Sequence, residues 1–359
     1  MKILHVITSL RTGGAEKLMV DLLPRLREKG HDVELLVFDG TDTPFRKDVE
    51  AAGIKVHDLG IGGSVYSPIR LIKLIPFLKK YDIVHTHNTA PQLFAAIGSV
   101  LCSVVLCTTE HNTSNRRRGW KWYAVVDSWM YNRYRKVICI SQKAEDNLRN
   151  YLGQCKADIY TINNGVDISK YAAASTSDEL ERIAPSSRKI IMVAGFRWEK
   201  DQDTLIKSLK HLPEQFHIFL VGDGVRRHEI ENLIEKENLE SRVHLLGIRT
   251  DVPQLLHAAD YIVMSSHFEG LSLSSVEGMS VGKPFFASDV DGLREVVVGA
   301  GLLFPHQDFE TLAKQIMTLE ENFAKYKAVA DACYIRAKMF DISGMTEKYS
   351  DLYYSLCLK

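Results

Sequence analysis

The stretch Ile159-Tyr-Thr-Ile162-Asn-Asn-Gly165, followed by Ser175-Thr-Ser-Asp178 through Pro185-Ser-Ser187 and then Ile190-Ile-Met-Val-Ala194, decides the fold. One short β-rich apolar run ends at Ile162, a polar stretch intervenes, and a second run begins at Ile190. Upstream lie the runs Ile3 to Thr8, Val33 to Phe38, Ile54 to Leu59, Ile83 to Thr86, Val104 to Thr108 and Val137 to Ile140, with amphipathic segments between them. Downstream the alternation restarts with Ile218 to Val221, Val243 to Leu246, Ile262 to Ser265, Pro284 to Ala287 and Leu302 to Phe304. Strands alternating with helices build parallel sheets covered on both faces. The expectation is an α/β chain of two doubly wound, Rossmann-like domains facing across a cleft. Their spans are 1–165 and 186–341, with a linker at 166–185 and the C-terminal segment 342–359 packing back on the first domain. Ligands of such sheets bind outside the carboxyl ends of the strands.

Composition agrees with two folded domains. The 359 residues are 45% apolar and 25% charged, which excludes a disordered tail, and the length exceeds what one core usually supports. The net charge of zero is a cancellation: residues 1–160 carry 23 Lys and Arg against 16 Asp and Glu, so they stand at +7 and the remainder at −7. Six cysteines without a Cys-x-x-Cys pair or zinc spacing fit a reducing cytoplasm. The N-terminus reads as a strand rather than a signal peptide. Ile83 to Thr109 lacks Asp, Glu, Lys and Arg over 27 residues, yet His85, His87, Asn88, Pro91 and Gln92 break it into a helix-like and a strand-like piece rather than a membrane span. The expected location is therefore cytoplasmic, with peripheral attachment to the inner face of the membrane.

Several strand ends carry candidate chemistry. The first strand leads into Gly13-Gly14-Ala15-Glu16, a turn that either lets a ligand approach backbone amides at a helix N-terminus or is simply tight; it lacks the third glycine of a dinucleotide fingerprint. In the second domain, Arg197 and Lys200 follow Ala194-Gly195, while Gly222-Asp223-Gly224 and Gly247-Ile248 close two further strands. Then comes Ser265-Ser-His267-Phe-Glu269-Gly270-Leu271-Ser272-Leu-Ser-Ser-Val-Glu277-Gly278, with two carboxylates eight residues apart. That separation suits a ligand stretched along a helix start, with amides and hydroxyls near Ser272 facing a diphosphate. The pair is too far apart for a glycosidase couple.

Taken in order, Gly13-Gly14-Ala15-Glu16, Asn164-Gly165-Val166-Asp167, Val221-Gly222-Asp223-Gly224, the Glu269 and Glu277 pair and Gly282-Lys-Pro resemble the retaining glycosyltransferases of the GT-B architecture, family 4, the group 1 type, of bacterial surface-polysaccharide synthesis. The resemblance implies transfer of a hexosyl group from a nucleotide-diphosphate sugar, a UDP-sugar first, to a hydroxyl of a glycan or lipid-linked acceptor with retention. It implies Glu277 on the donor ribose, Glu269 on the transferred sugar, and Gly270, Leu271 and Ser272 presenting backbone to diphosphate and sugar. Arg197 and Lys200 would neutralise the diphosphate, Ile248 would lie beside the base, and His111 would face the reacting sugar. No metal or other cofactor is expected. Members usually carry Arg where this chain has Gly195, so Arg197 is expected to reach the same phosphates from a neighbouring register.

Asp289-Val290-Asp291 looks like a metal motif of another glycosyltransferase architecture but falls where this family has a loop. His85 and His87 alternate onto one strand face without a third ligand in view, so strand-end packing or acceptor contact is expected of them. Residues 115–136 hold seven basic side chains against Asp127, with Trp120, Trp122, Tyr123, Trp129 and Tyr131 interleaved. Arg116, Arg117, Arg118, Trp120, Lys121 and Trp122 are the candidates for contact with an anionic membrane surface or a lipid diphosphate acceptor. A solvated basic face backed by core aromatics is the alternative, and nucleic acid is set aside as a partner because no accompanying motif is present. Two other functions stay open at this point: a nucleotide-sugar epimerase of the same architecture, and a non-catalytic membrane- or nucleic-acid-binding protein.

Overall fold

The computed structural model describes residues 1–11, 13–111 and 123–357. The chain divides into two compact units, one formed by Met1–Gly165 with the helix Ile342–Cys357 and the other by Val166–Asp341. The first holds strands β1 (Lys2–Ile7), β2 (Asp32–Val37), β3 (Lys55–Asp58), β4 (Ile83–His87), β5 (Val105–Glu110), β6 (Lys136–Cys139) and β7 (Asp158–Thr161). They form one parallel sheet in the order β3-β2-β1-β4-β5-β6-β7. The second holds β8 (Arg188–Val193), β9 (Phe216–Val221), β10 (Val243–Gly247), β11 (Tyr261–Met264), β12 (Phe285–Ser288) and β13 (Leu302–Phe304) in a parallel sheet ordered β10-β9-β8-β11-β12-β13. Both are doubly wound α/β units, as the alternation predicts.

Apolar runs become central strands because a parallel sheet is buried on both faces; β1 is buried from Ile3 through Ile7 and β11 throughout. The strand order reverses beside β1 in one unit and beside β8 in the other. Loops leaving neighbouring strands diverge there and open a crevice at the carboxyl edge, which places Gly13 and Gly14 in the first unit and Gly195 to Lys200 in the second.

The stretch expected to be a linker is folded. Residues 166–185 form two short helices, Ile168–Ala172 and Glu179–Ile183, and Val166, Ile168, Tyr171, Leu180 and Ala184 are buried in the core of the second unit. Arg249 clamps Glu179 with two hydrogen bonds of 2.8 and 2.6 Å. The polar residues that suggested a linker, Ser175 to Asp178 and Pro185 to Ser187, lie in the turns on either side of the second of these helices, while the apolar residues among them seat both helices. The segment 309–340 is likewise two helices, Phe309–Glu320 and Phe323–Lys338, divided where the Asn322 side chain caps the second. No described helix is long and apolar enough to cross a membrane. Ile83 to Thr109 resolves into β4, the helix Thr89–Gly98 and β5.

Candidate functional site

At the carboxyl edge of the second sheet the loops after β8, β9 and β10 are stitched backbone to backbone. Phe196 N–H donates to Asp223 O at 3.0 Å and Gly222 N–H to Gly247 O at 2.8 Å. Gly222 has φ +137°, and a Cβ there would lie 2.1 Å from Ala194 O; one on Gly224 would lie 2.4 Å from Phe196 O. A side chain at either position would collide with main chain that has nowhere to go, so these glycines allow the close approach. Asp223 caps its own turn, accepting from Gly224 N–H, and faces Arg227 at 3.4 Å. Ile248, directly after Gly247, is 79% exposed, a large apolar side chain left bare at the sheet edge.

The loop after β11 brings the charged groups together. Lys200 Nζ donates to Glu269 Oε1 at 2.5 Å, and Ser266 Oγ donates to the same oxygen at 2.7 Å. The turn Trp198–Lys200 is held against this loop by His267 N–H on Glu199 O at 2.9 Å and by the Trp198 ring 4.4 Å from that of His267. Behind it stands Gly292, with φ +82°, where a Cβ would meet Gly270 O at 2.2 Å and Glu269 O at 2.4 Å. The β12 loop thus buttresses the Glu269-Gly270 backbone, and Glu269 N–H donates to Asp291 O at 3.3 Å. We predict that Gly292→Ala costs about 2 kcal/mol or more, because it adds a backbone clash to a left-handed conformation. A lowered Tm together with weakened nucleotide binding checks this; an unchanged Tm would show that the loop yields freely.

The helix Leu273–Ser280 begins immediately after this loop; Ser275 N–H turns back to Ser272 O at 3.1 Å, and the N–H groups ahead of it have no i−4 acceptor within the helix. The expectation that the Ser272 hydroxyl faces a diphosphate is not met. Ser272 is 4% exposed and its Oγ accepts from Ser275 Oγ at 2.8 Å, so only backbone is offered there. Glu277 is half-buried within the same helix. Arg197 is exposed, and its Nε lies 3.9 Å from where a Cβ on Gly195 would stand. Asp289 pairs with Arg294 at 2.5 Å on the surface, in keeping with a loop.

In the first unit, Gly13 caps the helix Gly14–Glu28 through backbone alone, in extended conformation. The Glu16 side chain folds back over it, within 2.3 Å of where a Gly13 Cβ would be, and burial raises its carboxyl above the ordinary value although Asn88 hydrogen-bonds it. The helix start therefore already carries its own carboxyl group. A phosphate would have to displace it, whereas hydroxyl groups of a ligand would find acceptors. His111, after β5, accepts or donates through Nε2 to His87 Nδ1 at 2.9 Å, and burial pushes it down to about 4, so it is neutral at pH 7. His85 and His87 have the third neighbour that was not in view: His5 on the adjacent strand β1. Arg116, Arg117, Arg118, Trp120, Lys121 and Trp122 lie outside the described residues.

Two groups of described side chains converge as metal ligands do, His5 with His85 and His87, and Asp201 with His267 and His306. In the second, both Asp201 oxygens serve Thr204, and His267 Nδ1 shares a 2.7 Å hydrogen bond with His306 Nε2. Neither the Gly292 buttress nor His5 was found from sequence. Gly292 ends the Asp-x-Asp stretch, and the signal for His5 was its place opposite His85 in a paired strand.

The model of "Glycosyl transferases group 1" matches residues 176–334 and that of "Glycosyltransferase Family 4" matches 12–170. The putative glycosyltransferase EpsF of Bacillus subtilis is 27% identical over 84% of this chain and 82% of its own. The Escherichia coli UDP-Gal:alpha-D-GlcNAc-diphosphoundecaprenol alpha-1,3-galactosyltransferase is 26% identical over 98% of this chain and 96% of its own. Among solved structures, Anabaena HepE in complex with UDP superposes with a TM-score of 0.86 at 25% identity, covering 99% of this chain and 100% of that one.

Proposed function

The chain belongs to the group 1 glycosyltransferases of GT-B architecture, and from that premise we propose that it moves a hexosyl group from a UDP-sugar to a hydroxyl of a lipid-linked or glycan acceptor, with retention at the anomeric carbon. The observation that carries this reading is the Lys200–Glu269 pair, held by Ser266 and seated at a helix N-terminus on the switch-point edge of the second sheet. The UDP and UDP-glucose complexes of HepE and the undecaprenol-linked substrate of the Escherichia coli relative support the choice of donor and acceptor.

Each role is proposed from placement together with the likeness to the family. As the bond from the anomeric carbon to phosphate breaks, negative charge grows on the diphosphate, and Lys200 with the first-turn amides of Leu273–Ser280 is aimed at it. Glu269 takes a sugar hydroxyl, Gly270 and Leu271 offer backbone, Glu277 takes the ribose hydroxyls, and bare Ile248 lies against the base over Gly247. The glycines at 222 and 247, with Asp223, leave the room the nucleotide needs. The acceptor oxygen forms the new bond on the face the diphosphate leaves, and its proton passes to the departing phosphate oxygen. Cationic groups and amides supply the positive charge, with no metal in the scheme. Arg197, folded toward the place of the usual arginine at Gly195, assists; Arg197→Ala is expected to raise the donor KM several-fold, and unchanged KM and kcat would remove it from the site.

The test is UDP release from a panel of UDP-sugars with and without a diphosphate-lipid acceptor, the product's anomeric configuration being read by NMR. Retained configuration on the acceptor supports the proposal. Inverted product, a changed donor sugar or no turnover with any donor counts against it.

We also propose an anionic membrane surface as partner of the first unit. Within the basic segment, the helix Tyr123–Tyr131 leaves Val125 and Trp129 exposed one turn apart, and outside it the helix Pro68–Leu78 exposes Ile69 and Ile72. Flotation with anionic vesicles is expected for the wild type and lost in the Arg116, Arg117, Arg118 triple alanine variant; equal, negligible flotation of both would end the idea.

A further inference from the structure

Seven side chains of the first unit form one unbroken hydrogen-bonded chain through its interior. His111 Nε2 meets His87 Nδ1 at 2.9 Å, His87 Nε2 meets His5 Nδ1 at 3.0 Å, and His5 Nε2 meets Tyr353 Oη at 3.1 Å. Tyr353 Oη continues to His85 Nδ1 at 2.7 Å, His85 Nε2 to Thr109 Oγ1 at 2.8 Å, and Thr109 Oγ1 to Tyr349 Oη at 3.2 Å. The members come from β1, β4, β5 with its following residue, and the helix Ile342–Cys357. His5, His85, His87, Tyr349 and Tyr353 are fully buried. Burial, reinforced by neighbouring imidazoles, holds His5 down to about 3 and His85 and His87 well below their ordinary value, while burial pushes both tyrosines up. Every member is neutral at pH 7.

Neutrality imposes a rule. A neutral imidazole has one N–H and one lone pair, so a ring bonded through both nitrogens must donate at one and accept at the other. His111, His87 and His5 therefore cannot choose their tautomers separately: reversing one without the others sets lone pair against lone pair or proton against proton. Tyr353 is where the direction is decided, because its single proton goes either to His85 or to His5. O–H donors sit at about 2.7 to 2.8 Å and N–H donors nearer 3.0 Å. The short contact to His85 is then the one Tyr353 donates, and the longer one is His5 Nε2–H donating to Tyr353. From there His87 Nε2–H donates to His5, and His111 Nε2–H donates to His87.

We infer that Tyr353, working through His5 and His87, is a positioning residue that fixes His111 as the Nε2–H tautomer, so that Nδ1 presents a lone pair to a hydroxyl of the bound ligand. Nδ1 of His111 has no hydrogen-bond partner among the described residues. The identity of that ligand rests on the transfer reading above; the direction of the chain does not.

The experiment is tautomer-resolved NMR of the full-length chain with 15N-labelled histidine, for the wild type, Tyr353→Phe and Tyr349→Phe, alongside UDP-release kinetics. In the wild type His111 is expected as Nε2–H across pH 6 to 8. Without the Tyr353 hydroxyl, His5 Nε2 faces no acceptor; a buried N–H without one is costlier than a bare lone pair, so the three rings reverse and His111 becomes Nδ1–H. Tyr349 lies beyond Thr109 on the same helix and is as buried, so Tyr349→Phe is expected to leave His111 as it was. Turnover of Tyr353→Phe is expected to fall about tenfold with that of Tyr349→Phe near wild type. Nδ1–H in the wild type, no reversal in Tyr353→Phe, or equal shifts in both variants would overturn the inference. Should Tyr353→Phe fail to fold, His5→Leu replaces it, because it leaves His87 Nε2 without an acceptor and so predicts the same reversal at His111. Reversal in a chain that turns over no donor would overturn the transfer reading and leave the tautomer chain standing.

Discussion

Lys200→Ala is expected to lower kcat/KM for the nucleotide-sugar by about 100- to 1000-fold, the effect of removing one fixed donor from developing charge. The charge on the diphosphate grows as the sugar departs, so the ammonium counts for more in the transition state than in the bound donor, and kcat should carry most of the loss. Free UDP bears the full leaving-group charge, so inhibition by UDP should weaken more than the donor KM does. Lys200 also neutralises Glu269, which is 11% exposed and whose Oε1 also accepts from Ser266 Oγ. Its removal therefore costs some stability as well, and circular dichroism must accompany the kinetics. Lys200→Arg keeps the charge but changes the shape of the donor, and partial recovery of kcat is the expected result. A Lys200→Ala enzyme with wild-type kcat and wild-type inhibition by UDP would show that the diphosphate lies elsewhere.

Acidification from pH 7.5 to 4.5 is expected to remove several kcal/mol of stability, with the loss beginning near pH 6.5. Folding holds His5 down to about 3 and His111 to about 4, and His85 and His87 are also well below ordinary imidazole values. Below about pH 6.5 the unfolded chain binds protons at these positions and the folded chain does not, so stability is complete above that pH and falls as the pH drops toward the folded values. At about 1.4 kcal/mol per pH unit, His5 alone accounts for roughly 3 kcal/mol by pH 4.5. His31, His217 and His244 are lowered as well and act in the same direction. Carboxylates held low by partners, such as Glu34 and Asp251, contribute only at pH values nearer their own ordinary range, below the imidazole window. Urea midpoints measured every half pH unit check this. A flat profile between pH 7 and 5 would mean the buried rings are charged or solvated in the native state.

The second-unit site was largely legible because its signals are local. Glycines after β8, β9 and β10, a Glu269-Gly270 step before a helix and a lysine after a strand end are all features of a few consecutive residues, and α/β topology supplies the rest by sending every such edge to one side. Where reading failed, a local pattern was overruled by packing. Polar residues at 166–185 suggested a linker, yet five apolar side chains spaced among them were enough to seat two short helices on the second core. The Ser272 hydroxyl sits where a phosphate ligand could meet it in sequence terms, but Ser275, three residues on, turns it inward. Glu16, read as the tail of a glycine turn, occupies the helix start itself.

By itself the sequence determined the number of strands and their places along the chain, the parallel sheets and the edge that carries the candidate site, because hydrophobic period, strand-end glycines and connection lengths are properties of neighbouring residues. Only the tertiary structure decided which partners those residues meet. His5 and Tyr353 stand 348 positions apart and touch because β1 pairs with β4 and the last helix packs across the first sheet. Gly292 supports Glu269 because two loops leave adjacent strands together. Contacts of that range depend on chain return and packing, which no local pattern encodes, and they set the protonation of the imidazoles and the position of the charged pair.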